Sequence, residues 1–368
     1  MSLRDRFLQW RDRMVADAAF QDWAASFPLI RILARKRARN LFDITVGFVY
    51  SQVLFACVEL NIFHVLQEKP LTTEALAEKI GLSVEGTDRL ARAGVSLELL
   101  ERRSANRYGL GELGAALLGN PSVFAMIKHH AALYEDLRDP VALLRERSDA
   151  TRLSAFWNYA GADQPAEYAE ADAAAYSDLM AQTQALISSE ILHAYSFKDH
   201  THLMDIGGGA GAFLCAAAEQ APELRVTLCD LPPVAMLAKQ RFEQAGLASR
   251  AQAVACDFRV DPLPKGADII TLVRVLHDHD DDVVRPLLSA IREALPQTGK
   301  LLIAEPMSQA PGAAPMGDAY FGFYLWAMGR GRPRSPEELR HFLRKAGFSQ
   351  VQLIKTRRPI FTQMLVAS

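Results

Sequence analysis

The sequence predicts an α/β protein in two parts: a mainly helical, winged-helix half followed by a parallel sheet that holds a nucleoside at its carboxyl edge. Three observations carry this. At "HLMDIGGGAGAFLCAAAE", His202 to Glu219, an apolar strand passes through a glycine cluster directly into an Ala-rich helix, the order that lets backbone approach a ligand closely. Between Leu71 and Gly114 the chain has the rhythm helix, turn, helix, hairpin. Its end offers two strand-like runs, "FSQVQLIKT" and "RPIFTQMLVA", joined by a connection too short for a parallel crossover, so an antiparallel hairpin closes the sheet.

The 368 residues, half of them hydrophobic, can fill two domains. Three segments are expected: a basic amphipathic arm over 1–40, a helical winged-helix dimerisation and substrate-lining domain over 41–190, and a nucleoside-binding catalytic domain over 191–368. A formal charge of −2 gives no overall pull toward nucleic acid. Cys57, Cys215, Cys229 and Cys256 are scattered in apolar contexts without paired spacing. That pattern excludes a zinc ribbon or disulfide framework and fits reduced, buried thiols in the cytoplasm. Arg4, Asp5, Arg6, Arg11, Asp12, Arg13 and Asp17 stand where a secretory leader would need an apolar core.

Residues 1–39 carry nine Arg or Lys and four Asp, with Phe7, Trp10, Phe20, Trp23 and Phe27 interspersed. This suits either a helix lying in a membrane interface or an arm packed on a dimer partner. "ITVGFVYSQVLFACV", Ile44 to Val58, is shorter than the ~20 residues of a span and reads as a buried helix. In the winged unit Thr72 or Thr73 caps a helix, Gly81 turns the chain, Ser83 starts the next helix and "RRSANRYGL" forms the hairpin. The second helix sets Glu85 and Asp88 against Arg89 and Arg92, a poor phosphate surface, so the unit reads as a packing module with no nucleic-acid partner. Residues 121–196 are mainly helical, and Phe156, Trp157, Tyr176 and Met180 are the aromatic and Met positions singled out as substrate-lining.

In the second half Gly207, Gly209 and Gly211 have no side chain in a ligand's way, and Asp230, ending the next strand, can accept both hydroxyls of a ribose. Asp257 and Phe258 follow a third strand, an acid and an aromatic face suited to adenine. Gly207, Gly209 and Ala212 would also fit a dinucleotide fingerprint, but Asp205 just before the turn disfavours a pyrophosphate and favours an ammonium group. "VLHDHDDD" admits three readings: a metal site, a catalytic base, or the acidic start of a helix. His277, His279 and Asp281 imitate H-x-H-x-D, yet Asp282 stands where the next His belongs and no second cluster supports a metal. Asp280 to Asp282 precede "VVRPLLSAIREAL" and can cap that helix, while His279 reads as a surface residue.

Taken together, "MDIGGGAG", "LCDLPPV", "CDF", "VLHDHDDD", "IAEPM" and the terminal hairpin resemble the two-domain S-adenosylmethionine-dependent O-methyltransferases of the plant caffeate and acetylserotonin type, over nearly the whole chain. The resemblance implies a Rossmann-like class I methyltransferase domain, a homodimer interlocked through its N-terminal helices, S-adenosylmethionine as cofactor with S-adenosylhomocysteine as product, and no metal. It makes His277 the general base and Glu305 the residue that orients it. Leu231 and Arg274 join Asp205, Gly207, Gly209, Gly211, Asp230, Asp257 and Phe258 as cofactor-binding candidates, and Asp278 joins the substrate-lining set. Two departures stand out: Pro333 replaces a second Glu of the plant members, leaving His277 one carboxylate partner, and Val273 replaces a Lys.

Within the family, "FDITVGFVYSQVLFACVELNIF" and "GRGRPRSPEEL" are most similar to the carotenoid branch of phototrophic bacteria, which methylates the tertiary 1-hydroxyl of acyclic carotenoids of the hydroxyneurosporene and demethylspheroidene kind. A hydrophobic small-molecule acceptor is therefore expected, handled in the cytoplasm or at the inner face of a membrane. The alternatives are another hydrophobic acceptor, a tetrapyrrole, polyketide or phenol, and a winged-helix regulator that senses a nucleoside ligand.

Overall fold

The computed structural model describes residues 1–148, 150–161 and 183–368. Contacts divide the chain into Met1–Asn120 and Pro121–Ser368. The helices between 121 and 161 thus group with the sheet-bearing unit, whereas the sequence placed that boundary near residue 190.

The first unit begins with helices α1 (Leu3–Ala16), α2 (Ala18–Ser26) and α3 (Arg31–Glu59). No break separates an arm at residue 40, because α3 runs unbroken through it. The expectation of a buried helix over Ile44 to Val58 is corrected too: only Cys57 and Val58 of α3 are buried, and Ile44 is 81% and Phe48 71% exposed. The 29-residue helix is long enough, and apolar enough in an 18-residue window, to cross a bilayer by length and composition. Beyond α4 (Ile62–Glu68), the winged unit follows the sequence closely. Thr72 caps α5 (Thr73–Ile80) through Ala75 N–H, Gly81 ends it at φ 71°, and Ser83 caps α6 (Val84–Ser96) through Gly86 N–H. The wing pairs β1 (Leu100–Arg103) with β2 (Arg107–Leu110), turning through Ala105 and Asn106 at positive φ, and α7 (Glu112–Leu118) completes the unit. Arg89 and Arg92 each pair with an acid one turn earlier, Glu85 and Asp88.

The second unit opens with α8 (Pro121–Asp136), α9 (Pro140–Arg145), α10 (Arg152–Gly161) and α11 (183–194). Its seven strands are β3 (His202–Ile206), β4 (Arg225–Asp230), β5 (Ala251–Ala255), β6 (Ile269–Val273), β7 (Lys300–Glu305), β8 (Val351–Ile354) and β9 (Gln363–Ala367). They lie in the order β5-β4-β3-β6-β7-β9-β8. The first five are parallel and the last two form the antiparallel hairpin that the short connection required. Runs such as "IITLV" are buried at every position, as befits strands covered on both faces. One apolar core packs against each face, the first around Ile270, Leu288 and Leu301, the second around Leu203, Phe213 and Leu302. The chain turns back at β3, whose neighbours are β4 and β6, so the crevice of an open sheet falls at the carboxyl ends of these strands.

Candidate active site

Every second-half site residue predicted from sequence lies along this carboxyl edge. Between β3 and α12 (Ala212–Gln220), Gly207, Gly209 and Gly211 all have positive φ (68°, 60° and 79°), a conformation costly for residues with a side chain. Their reasons differ from a uniform clearing for a ligand. A β-carbon on Gly207 would meet Val275 at 3.0 Å and one on Gly211 would meet Phe242 at 2.8 Å, whereas Gly209 alone of the three faces open space. Gly208 is the tightest: a β-carbon there would lie 2.2 Å from Asp205 Oδ2.

Asp205 is fully buried; its Oδ1 accepts from Thr271 Oγ1 at 2.6 Å, and its Oδ2 lacks a hydrogen-bond partner among the described residues. Burial pushes its carboxyl up to about 7. Asp230 ends β4, where burial raises it to about 6 although Leu231 N–H (2.7 Å) and Gly209 N–H (2.8 Å) both donate to it. Asp257 is gripped by Arg259 (2.7 Å), which holds its carboxyl below the usual range. Neighbouring Phe258 meets the His279 ring edge-on at 5.3 Å. Arg274, at φ 57° just past β6, donates to Thr183 Oγ1 and Gln184 Oε1 at the start of α11.

His277 lies in a 3-10 turn (Leu276–Asp278) beyond β6 and is buried. Its Nε2 is 3.1 Å from Asp278 Oδ1, and its Nδ1 faces Glu305 Oε2 at 3.7 Å. Glu305 is wholly buried and accepts from the His277 backbone N–H at 3.2 Å. The expectation of a single carboxylate partner is therefore corrected: Asp278 supplies the second, next in sequence rather than from the segment around Pro333. Burial works against a charged imidazole here, but Asp278 and then Glu305 outweigh it, and the pKa of His277 is raised. Glu305 is itself pushed up by burial, against the pull of His277.

The three members of the H-x-H-x-D pattern diverge: His277 turns to Glu305, His279 packs on Phe258, and Asp281 is taken by arginines. His279 is half-buried rather than on the surface. Asp280 is the N-cap residue of α13 (Asp281–Ala294) but makes no side-chain cap bond, which corrects the view of these acids as a simple capping set.

An O-methyltransferase domain model matches residues 134–349, and an O-methyltransferase dimerisation domain model matches 42–120. The chain belongs to the O-methyltransferase family. It is 41% identical to a demethylspheroidene O-methyltransferase of Cereibacter sphaeroides, over 96% of this chain and 93% of the relative. It is 31% identical to mouse acetylserotonin O-methyltransferase over 89% of this chain and 87% of that one. Among solved structures, human N-acetylserotonin methyltransferase in complex with S-adenosylmethionine superposes with a TM-score of 0.71 at 27% identity, covering 90% of this chain and 97% of that one.

The residues of this O-methyltransferase fit such a cofactor. The unpartnered Asp205 oxygen suits its ammonium group, the open side of Gly209 lets backbone come close, and Asp230, Asp257 and Phe258 follow at successive strand ends. Beside His277 the methyltransferase has an aromatic cluster legible in sequence only in part. Phe156 packs on His129 with ring centres 4.4 Å apart, and Trp157 Nε1 donates to Tyr324 Oη at 2.8 Å. His129 Nε2 lies 2.6 Å from the same hydroxyl, and His130 Nε2 lies 2.8 Å from Tyr320 Oη. Phe321 links this cluster to the His277 ring at 5.8 Å. Tyr176 and Met180 lie outside the described residues.

Tyr320 and Phe321 sit on a π-helix (Pro315–Phe321), a widened turn frequent at functional sites that leaves no distinctive spacing in sequence. The methyltransferase also buries Arg334 completely, against Asp281. Its only sequence signal is the complementarity of "HDHDDD" with "GRGRPRS".

Proposed function

We propose that this O-methyltransferase uses S-adenosylmethionine to methylate a hydroxyl of a hydrophobic small molecule, the tertiary 1-hydroxyl of an acyclic carotenoid, with His277 as general base. The observation that carries the base assignment is an imidazole buried between Asp278 and Glu305 at the carboxyl edge of β6 and β7. The acceptor class is supported by two relatives named demethylspheroidene O-methyltransferase, 41% and 42% identical over 96% and 92% of this chain. Asp205, Gly207, Gly209, Gly211, Asp230, Leu231, Asp257, Phe258 and Arg274 would hold the cofactor, which supplies a methyl group already activated on a sulfonium.

The protein's own task is then to orient an acceptor oxygen, exclude water and take one proton. Glu305 is fully buried, while the Asp278 side chain is 27% exposed, so Nε2 is the outward nitrogen and the acceptor hydroxyl approaches beside Asp278. Neutral His277 accepts the hydroxyl proton as the new C–O bond forms, a contribution of about 10² to 10⁴ in rate. The two carboxylates stabilise the resulting imidazolium, and Phe321, Tyr324 and Trp157 wall the acceptor side with apolar surface. The acid–base pairing along α6 argues for packing rather than DNA contact, and the dimerisation domain match supports a homodimer. The exposed Phe7, Trp10 and Trp23 among basic residues support a peripheral seat on the inner face of a membrane.

Incubation with methyl-labelled cofactor and a panel of hydroxylated carotenoids, phenols and tetrapyrroles tests the reading. Label is expected in the ether of a hydroxylated acyclic carotenoid. Label confined to a phenol or tetrapyrrole would replace the acceptor, and no transfer to any of them would remove the proposed activity.

A further inference from the structure

The turn that carries His277 is held from behind by one buried side chain. Arg334 is 0% exposed. Its Nη1 donates to Leu276 carbonyl oxygen at 2.7 Å and its Nη2 to His279 carbonyl oxygen at 2.8 Å, so one planar group bridges the residues on either side of the pair His277–Asp278. The same guanidinium lies against Asp281, with Nε at 2.9 Å and Nη2 at 2.7 Å from Oδ1. The carbonyl of His277 accepts from Arg332 N–H at 2.9 Å. Asp281 in turn receives Arg332 and Arg285, and Arg334 and then Arg332 hold its carboxylate down at about 2 despite the cost of burial.

We propose that Arg334, fixed by Asp281, is a positioning residue for this methyltransferase: it sets the height and tilt of the His277 turn, and hence where the imidazole and the Asp278 carboxylate meet the acceptor. The inference rests on the reading of His277 as the base. Geometry explains why arginine is needed. A guanidinium presents several donors in a rigid fork, so it can satisfy two carbonyls and a carboxylate at once, whereas a lysine ammonium is a compact point charge on a flexible stem. A displacement of about 1 Å in a reacting group can cost about 10²-fold in rate.

The test compares Arg334→Lys, Asp281→Asn, His277→Asn and the double variant Arg334→Lys/His277→Asn as full-length proteins, with Arg285→Ala as a control that removes one cation from Asp281 without touching the turn. Turnover uses a hydroxylated acyclic carotenoid; cofactor affinity is measured by calorimetry, folding by far-UV circular dichroism and melting temperature. Arg334→Lys is expected to lower kcat about 10- to 100-fold while KM and cofactor Kd stay within about threefold, with a smaller fall in the same direction for Asp281→Asn. In the His277→Asn background the lysine change should alter the residual rate less than about threefold, since a residue acting through the base has nothing left to position. A crystal structure of Arg334→Lys should show the 276–279 turn displaced relative to Glu305. If the lysine variant does not fold, Asp281→Asn and its double with His277→Asn carry the same comparison.

Wild-type kcat in a folded Arg334→Lys, a loss seen only in KM or cofactor affinity, or an equal loss with and without His277 would each overturn the positioning role. Full activity in His277→Asn would instead overturn the base assignment, and the displaced or undisplaced turn in the crystal would still judge the clamp.

Discussion

As the proposed base, His277 carries opposing demands, since a proton acceptor must be neutral while its surroundings favour the charged form. Asp278 and Glu305 raise its pKa above the ordinary 6.5 against the effect of burial, so the working neutral form grows in as pH rises through that raised value. The acid limb of kcat should accordingly turn above 6.5. Glu305→Gln removes one of the two carboxylates, and in a pH–rate profile its acid limb should shift to lower pH, with a lower plateau because the imidazolium formed in the reaction loses a partner. A limb unmoved by this change would separate Glu305 from the base. Asp205 shows the complementary case of a strained carboxylate. Its native pKa of about 7 lies above the ordinary 3.8, so the folded state binds the proton more tightly than the unfolded one. Stability from this group is fully present below 3.8 and lost as pH rises through about 7. Asp205→Asn should therefore melt higher than wild type at pH 8 without cofactor, yet gain no further stability when S-adenosylmethionine is added, whereas wild type should gain it. Differential scanning calorimetry with and without cofactor reads both.

Between β3 and α12 the glycine turn was legible because strand, turn and helix each leave a distinct local pattern, and the hairpin β8–β9 because a short connection permits only one pairing. The caps at Thr72 and Ser83 were legible for the same local reason. What stayed hidden depends on contacts far apart in sequence. Asp278 could be named but not its place against Nε2, which follows from the tightness of the 3-10 turn. The π-helix over Pro315–Phe321 and the exposed face of α3 look in sequence like an ordinary apolar helix. Nor does "GRGRPRS" reveal that it wraps the His277 turn, although its second glycine does so most closely. Gly331 has φ 72°, and a β-carbon there would stand 2.1 Å from His277 carbonyl oxygen. Backbone on both sides leaves no flexible atom to yield, so Gly331→Ala should push the turn outward and reduce kcat by at least tenfold, with the circular dichroism spectrum of the sheet domain retained. An alanine variant of unchanged kcat would mean that the wrap and the base are independent.

At the scale of the whole molecule the chief energetic cost is the apolar face of α3. Ile44, Phe48, Leu41 and Phe42 are 81%, 71%, 68% and 59% exposed on one helix, a cluster that a soluble monomer rarely leaves open. A helix that is apolar and unburied in its own chain needs a partner surface, and the dimerisation domain match begins at residue 42, within this cluster. A second copy would bury the face by symmetry, because an isologous contact lets each α3 meet its equivalent. The alternative cover, lipid, would keep the protein dependent on detergent or membrane. The two separate cleanly in solution. Sedimentation in detergent-free buffer should give twice the chain mass of 40.7 kDa, and Ile44→Glu/Phe48→Glu, which places two charges on the contact, should give the monomer mass while cofactor affinity changes less than about threefold. A wild-type protein that sediments at the single-chain mass, or that stays in solution only with lipid or detergent, would assign the α3 face to the membrane instead.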